Sequence, residues 1–370
     1  MTIERDLART AMSFTTGIII SAIVPTRLST FLTAPATIAL LISAACTAIL
    51  LHPEHKNLNG KALWLIISIL FICLGYFISD TGRHISSTFD SKMPMLSAFA
   101  TNISENLKES IAEIPFREKD TNSLITALIT GDKSGLASEI MASFRRSGAS
   151  HILALSGLHL GIIYGIFKGI LSISGNGRKA RILRAVIIVS ACGIYTLATG
   201  ASASITRAFL FILLNETASL TGRYEKTSNI LWTALFIQLF FNPGSIKDVG
   251  FQLSYAAMAG IAYIYPHLKN FWLEDKGLAY KGLGWIWKSA AMSIACQVTT
   301  GPLAWIYFRT FPLYFLLTNL ITLPLIGMII PASLVTIGLH ECGICPDFLI
   351  GAVENMILGM TRCLEIIASL

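Results

Sequence analysis

Long, nearly uninterrupted apolar runs constrain this chain more than any single motif. They lie near residues 8–24, 28–51, 61–79, 149–173, 181–200, 203–220, 228–241, 248–266, 284–304, 312–338 and 347–369. A helix needs about 20 apolar residues to cross the hydrocarbon core of a bilayer. The pattern therefore predicts an all-α, polytopic integral membrane protein with about eleven transmembrane helices. Composition agrees: 13% of the 370 residues are charged, against about 25% in a soluble domain. The run at 228–241 is short and reads as tilted, re-entrant or longer at its start. Gly17, Gly193, Pro302, Pro324 and Pro331 inside runs point to broken or kinked helices, which a bilayer tolerates when neighbours satisfy the freed backbone.

Orientation follows from one loop. Residues 174–184 carry Arg178, Lys179, Arg181 and Arg184 and no acid, and Lys and Arg collect on the cytoplasmic side. That places the N-terminus inside, residues 80–148 outside and the C-terminus outside. The loops with Arg223 and Lys226, and with Lys269, Lys276 and Lys281, then also lie inside. These loops account for the net charge of +7 without a nucleic-acid face. Trp285 and Trp287 mark the inner interface, and Trp305, Tyr307 and Phe308 the outer one. Arg5 and Arg9 precede the first apolar run with no clear cleavage site, so that run reads as a retained membrane helix. The chain thus divides into N-terminal transmembrane helices (1–79), an extracytoplasmic amphipathic segment (80–148) and a transmembrane core (149–370).

In the outer segment Ile103, Leu107, Ile111 and Ile114 recur at helical spacing until Pro115, and Leu136, Ile140, Met141 and Phe144 form a second amphipathic stretch. Helices lying on the membrane face and helices packed against the bundle both satisfy this pattern. Eight Lys and Arg meet nine Asp and Glu between residues 80 and 148, so there is no basic funnel for phosphates.

Ionisable groups at membrane depth are costly and by default face a bundle interior or a wet cavity. The block His151-Ile-Leu-Ala-Leu-Ser156-Gly157-Leu-His159-Leu-Gly161 concentrates them. On a continuous helix His151, Ser156 and His159 fall within about 140° of one another. Three readings are open: a polar lining for a substrate path, a catalytic Ser/His pair, or a structural role in which Gly157 and Gly161 admit a neighbouring helix. Arg207, inside the run Ile205–Leu214, needs a partner or water. Asp248 and Gln252, four apart, share a helix face; Asp248 could pair with Arg207 or merely hold helices together. Gln297 and Asn319 could cross-link helices. Arg145 and Arg146 are the best local candidates for contacts to nucleic acid, and equally serve as interface anchors.

Ala154-Leu-Ser156-Gly157 resembles the GxSG loop of rhomboid proteases, but its first glycine is absent and no later histidine lies well inside an apolar run. Two histidines at this spacing are too few for a metal site. Cys342 and Cys345 form a lone CxxC, and Cys46, Cys73, Cys192, Cys296 and Cys363 read as small buried residues. No catalytic residue, cofactor or metal is expected. No Walker A motif occurs, so translocation energy must come from a partner or a gradient.

Several ordered motifs between about residues 120 and 340 extend this picture: Gly131-Asp132-Lys133-Ser134-Gly135-Leu136, then Phe144-Arg145, Ser147-Gly148 and the His151 block. Further on come Asn242-Pro243, the stretch Asp248 to Tyr255 with Ala257, Gln297-Val-Thr299 with Pro302, and Asn319 with Pro324. Together they resemble the competence (ComEC/Rec2) family. The resemblance implies a channel for single-stranded DNA in a bacterial inner membrane, working with separately encoded competence proteins or an ATP-driven motor. It leaves the oligomeric state open. Longer members carry OB-like and metallo-β-lactamase-like domains, neither of which is recognisable here, so a nuclease role is not carried over. The assignments that follow are pore-lining or gating for His151, Ser156, His159, Arg207, Asp248 and Gln252. A transporter of a small or lipidic solute and an intramembrane hydrolase using Ser156 remain as alternatives.

Overall fold

The computed structural model describes residues 2–23, 60–89, 94–174, 177–221, 226–271, 278–309 and 314–369. Among these residues the regular structure is helical, with no strand. The apolar run at 28–51, Cys46, Arg223 and Lys276 lie outside the described residues. The helices are α1 (Thr2–Ile23), α2 (Gly60–Phe89), α3 (Pro94–Glu113), α4 (Lys119–Thr130), α5 (Ser138–Arg146), α6 (Ser150–Leu153), α7 (Gly157–Leu171) and α8 (Arg178–Ala198). They continue as α9 (Ala203–Leu220), α10 (Thr227–Phe241), α11 (Val249–Ala259), α12 (Tyr265–Leu268), α13 (Leu278–Phe308), α14 (Phe315–Glu341) and α15 (Asp347–Ser369). Among the described residues, α8 and α14 are long and apolar enough to cross a membrane; Leu65–Ser79, α7 and α10 are shorter apolar stretches.

The chain forms two compact units, one of Met1–Pro94 with Tyr224–Tyr255, the other of Met95–Arg223 with Ala256–Leu370. In the first, α1 and α2 touch backbone to backbone. A Cβ on Gly17 would lie 1.9 Å from the Ile72 carbonyl oxygen, and one on Gly75 would lie 2.1 Å from that of Phe14. Gly17 therefore serves close helix approach rather than a break. Phe14 is fully buried and its ring centroid lies 4.8 Å from that of Phe236 on α10, with Phe71 5.7 Å from Phe236 on another side.

In the second unit the amphipathic stretches of residues 95–148 pack into a bundle. Ile111, Leu124, Leu128 and Phe144 share one buried core with Ile326, Ile330, Val353 and Ile357 of α14 and α15. Of the two arrangements open to this segment, packing is the one seen. α3 stops at Glu113, before Pro115, as the spacing predicts. The Asn122 side-chain amide donates to the carbonyls of Ile111 and Ile114 at 2.8 and 3.2 Å, capping that end. Glu354 of α15, buried, accepts from the backbone N–H of Glu118 at 2.8 Å, at the start of α4. A carboxylate suits a helix N-terminus, where unpaired N–H groups carry partial positive charge.

A smaller core joins α7, α8 and α9 through Leu160, Ile188, Cys192, Ile205 and Ile212. Of the broken or kinked helices expected at the prolines, no break is seen: Pro302 lies inside α13, and Pro324 and Pro331 inside α14. The helix begun by α11 instead widens into a π turn at Gly260–Ile264 just before Pro266. Proline lacks an N–H and its ring collides with the carbonyl four residues back, which a wider turn relieves. Gly260 lets this turn approach α13; a Cβ there would sit 2.3 Å from the Ala295 carbonyl oxygen.

The glycine contacts grade the cost of adding a methyl group. Gly75→Ala is expected to destabilise by about 1–3 kcal/mol, because its neighbour is rigid backbone. Gly193→Ala, whose Cβ would meet only the Phe209 ring at 3.4 Å, is expected to be near neutral. Thermal unfolding of the two variants in detergent checks the ordering.

Candidate functional site

The polar block is built on a turn fixed from two sides. Ser147, buried after α5, donates through Oγ to the Ser143 carbonyl at 2.8 Å. Its own carbonyl accepts from Thr318 Oγ1 of α14 at 2.7 Å. Gly148 takes φ +80°, a conformation glycine adopts without strain, and leads into α6. His151 lies on α6 with Nδ1 3.1 Å from the Gly148 carbonyl.

The continuous helix expected over 149–173 is interrupted. Ala154 and Ser156 are extended, at φ/ψ −82°/121° and −122°/168°, and α7 begins afresh at Gly157. The common face counted at 100° per residue therefore does not carry through from His151 to His159. Ser156 becomes the N-cap of α7: its Oγ accepts from the Leu158 N–H at 3.3 Å. His159, three residues on, folds back so that Nδ1 accepts from the Ser156 N–H at 3.3 Å and lies 3.1 Å from Ser156 Oγ. This is a capping box with histidine where Glu or Gln usually stands. A backbone N–H can only donate, so Nδ1 is the acceptor and the neutral ring carries its hydrogen on Nε2.

The Gly131–Leu136 motif buttresses this break. Gly131, at φ +82°, ends α4, and a Cβ on it would lie 2.5 Å from Leu155 Cδ1 in the extended segment. Tyr195 of α8 donates to the Ile129 carbonyl at 2.7 Å. Asp132 pairs with Lys108 and accepts from the Ser134 N–H at 3.0 Å. The Lys108 hydrogen bond, and after it the Ser134 bonds, hold the Asp132 carboxyl well below the usual carboxylate range. A depressed folded value means this support is fully present above about pH 4 and is lost only in stronger acid.

From the other side comes α9. A Cβ on Gly157 would lie 3.2 Å from Ala208 Cβ and 3.6 Å from Arg207 Nη2. Arg207 is 6% exposed and donates from Nη2 to Ser204 Oγ at 3.3 Å. The loop before α9 is strained at Ala201, with φ +46°, and is held by bonds from Ala201 N–H to the Thr196 carbonyl and from Thr206 Oγ1 to the Ala201 carbonyl. The structure thus gathers Ser156, His159 and Arg207 around the first turn of α7.

The other sequence candidates are described by their local contacts. Asp248 and Gln252 belong to the first unit. Asp248 is exposed and caps its own helix, accepting from the Gly250 N–H at 2.9 Å, and Gln252 donates to the Ile246 carbonyl at 2.8 Å. Arg145 and Arg146 are exposed in the last turn of α5, where the helix dipole favours cations. Arg146 lines a recess together with Glu139 and Glu365. Gln297 lines an apolar groove with Pro302, Trp305 and Phe315. Cys342 is exposed and Cys345 half-buried; burial, and after it the Asp347 charge, push the Cys345 thiol up, away from thiolate chemistry. Among the described residues no group of three potential ligands is placed to hold a metal.

Sequence reasoning missed one cluster. Tyr164 donates to Glu216 Oε1 of α9 at 2.7 Å, and Lys168 donates to Tyr164 and lies 3.7 Å from Glu216. Asn215 reaches the same phenol at 3.3 Å. The signal was available: Lys168 and Glu216 are charges inside apolar runs, and Tyr164 and Lys168 are spaced to share a helix face.

Comparison with known proteins gives a consistent picture. The family model described as Competence protein matches residues 128–370, which include α5 to α9 and every residue at the break. ComE operon protein 3 of Bacillus subtilis (strain 168) is 30% identical over 138 residues, 37% of this chain and 17% of that protein. Competence protein ComA of Neisseria gonorrhoeae is 25% identical over 234 residues, 62% of this chain and 32% of that protein. The chain therefore spans a third or less of the length of these curated relatives. No solved structure matches.

The Tyr164 cluster gives a test of packing between α7 and α9. Tyr164→Phe leaves the buried Glu216 carboxylate short of a donor and is expected to lower stability by about 1–3 kcal/mol. Adding Glu216→Leu should recover part of that loss, a coupling read by a double-mutant cycle of thermal unfolding.

Proposed function

The chain belongs to the Competence protein family, and we propose that it is a channel-forming component of a bacterial inner membrane that passes single-stranded DNA during natural transformation. One observation carries this reading: a helix interrupted at Ala154–Ser156 within the apolar bundle, its new N-terminus bearing Ser156 and His159 and packed against Arg207. Interrupted helices at membrane depth are tolerated only where they are buried in protein or line a wet cavity. In membrane transporters such half-helix ends form the substrate site. The distribution of side chains supports it. Leu183, Val186, Ile306 and Val335 are exposed, whereas His159, Arg207 and Glu216 are buried, as suits a lipid solvent outside and a polar path within. About eleven helices cross the bilayer in this reading, with the N-terminus inside and residues 80–148 outside. Separately encoded competence proteins or an ATP-driven motor are its partners in this reading. The protein performs no covalent chemistry.

One observation favours a second reading, an intramembrane serine hydrolase: Ser156 Oγ lies 3.1 Å from His159 Nδ1, within reach for nucleophile activation. The same contacts, however, are those of a helix cap, and the Ser156 N–H shares the nitrogen that would serve as base. Ser156→Asn separates the two, since asparagine caps helices well but cannot act as the nucleophile.

Transformation frequency in the source bacterium tests the proposal. A clean deletion should abolish transformation. His159→Leu, confirmed to reach the membrane, should lower it at least about tenfold by removing the cap and a polar group together. Ser156→Asn should retain most of it. Normal transformation by the deletion, with no second copy present, overturns the channel reading and brings the solute-transport reading forward. Orientation is checked separately, in a background without other cysteines. A membrane-impermeant maleimide should label Ser134→Cys on intact cells, but Lys179→Cys only after lysis.

A further inference from the structure

We infer that the groove between α13 and α14 is a seat for one anionic phospholipid, with an acyl chain in the groove and the phosphate on Arg309. The inference rests on the reading in which α13 crosses the bilayer with Trp305 at the outer interface. The groove holds about 640 Å³ and is walled by Ile294, Val298, Pro302 and Trp305 of α13 and by Phe315 of α14, with Gln297 the one amide. Its α13 residues recur at three- and four-residue steps and so form one stripe. Val298 and Trp305 are 56% and 52% exposed, so the groove opens outward. A wall made almost wholly of carbon suits a hydrocarbon occupant and not a strand of phosphates. The length fits as well. Ile294 and Trp305 are eleven residues apart, about 16 Å along a helix, and one leaflet contributes about 15 Å to the hydrocarbon core. The groove runs the depth of one leaflet, as a single acyl chain does.

What separates a lipid from another helix as the occupant stands at the mouth of the groove. Arg309 is exposed and closes α13 at φ +54°, its N–H donating to the Trp305 carbonyl at 3.0 Å. Helices usually give that left-handed position to glycine, so arginine is kept there against backbone strain. It lies four residues, about 6 Å, beyond Trp305, which matches the headgroup layer of about 5–7 Å on each side of the core. No Asp or Glu occurs between Asp275 and Glu341, so α13 offers this guanidinium no carboxylate and α14 none before its far end. The bias of Lys and Arg toward the cytoplasmic side does not account for a cation here. An apolar helix in the groove would leave the charge unanswered. A phosphate at headgroup level answers it with oxygens that match the guanidinium fork. An anionic headgroup does so without the ammonium of phosphatidylcholine competing for the same phosphate.

The test uses the full chain in detergent with phosphatidylglycerol and phosphatidylcholine of identical acyl chains, each also made with a photoreactive diazirine on one chain. After irradiation, peptide mapping of wild type should place phosphatidylglycerol adducts on α13 between Ile294 and Trp305 and on Phe315. Native mass spectrometry should show the first phosphatidylglycerol bound about fivefold more tightly than phosphatidylcholine, the scale of one cation at a membrane surface. Arg309→Gln should remove that preference while keeping adducts in the groove. Val298→Trp, which fills the groove, should lower the adducts there for both lipids, and Val298→Phe serves if it does not accumulate. Arg178→Gln, which removes a cation on the cytoplasmic side of the same reading, should change neither result. Wild-type adducts confined to other helices, or a preference that survives Arg309→Gln, overturn the inference. So do cross-links from a photoreactive residue at Val298 that join protein to protein instead of lipid, which would assign the groove to a helix or a second copy. Displacement of phosphatidylglycerol from the groove by a single-stranded oligonucleotide would assign it to the strand and overturn the inference too. These measurements need neither DNA passage nor a given orientation, so their failure leaves the channel reading standing. Failure of the membrane reading is read separately, as release of the chain from cell membranes by alkaline carbonate.

Discussion

The rest of the second unit depends on one requirement: a helix that stops and restarts among apolar neighbours must still satisfy its freed backbone groups. Ser156 and His159 meet it within four residues. The serine oxygen takes one N–H of the new helix, and the imidazole takes the N–H of the serine. In water such a cap contributes on the order of 1 kcal/mol; where water is scarce the alternative is an unsatisfied buried donor, and the cap becomes a condition for the break to exist. Histidine in place of glutamate keeps the acceptor without placing a fixed negative charge at the site, and it leaves a second nitrogen free for another use.

Neighbouring elements then fix where the break sits. Thr318 of α14 holds Ser147, which precedes α6. Gly131 ends α4 against Leu155, and Tyr195 of α8 ties the last turn of α4 through Ile129. Glu354 of α15 secures the first turn of α4. None of these residues needs to touch a passing strand. Each fixes the backbone of a segment that touches the break or leads into it, which explains why so many of the motif residues read as turns and caps. The same distinction sorts the polar candidates: Asp248 and Gln252 close a local turn, while Ser156 and His159 cap α7 and Arg207 lies against Gly157.

Much of this was legible in the sequence. Apolar periodicity set the all-helical class, Pro115 marked the end of α3, and the His151 block and Arg207 stood out as polar groups in apolar runs. What failed was continuity. A residue count treats an apolar stretch as one helix, yet Ser156 with an acceptor three residues later is also a helix-start signal, and hydropathy does not register it because Ala154 and Leu155 are as apolar as their neighbours. Pro302, Pro324 and Pro331 lie within α13 and α14 without ending them, and the missing side chain of Gly17 serves a neighbouring helix. Contacts between helices distant in sequence, such as Glu354 to Glu118 or Glu216 to Tyr164, have no local trace at all.

The parallel pair α7 and α9 carries the argument one step further. Their contact is polar at both ends and apolar between: Gly157 against Arg207 at one end, Tyr164 and Lys168 against Glu216 at the other, with Leu160 and Ile212 in the middle. Eleven residues separate Gly157 from Lys168, about 16 Å along the helix, so the two polar layers are too far apart to act as one site. They differ in kind as well. At Glu216 the acid has a donor and a cation at hand, so the layer is satisfied within the protein and ties the helices together. At the α7 terminus Ser156 Oγ and Ser204 Oγ accept from the Leu158 N–H and Arg207, while His159 Nε2 has no acceptor among the described residues. One end of the pair is therefore a fastening between two helices, and the other is a helix start held mainly by its own cap.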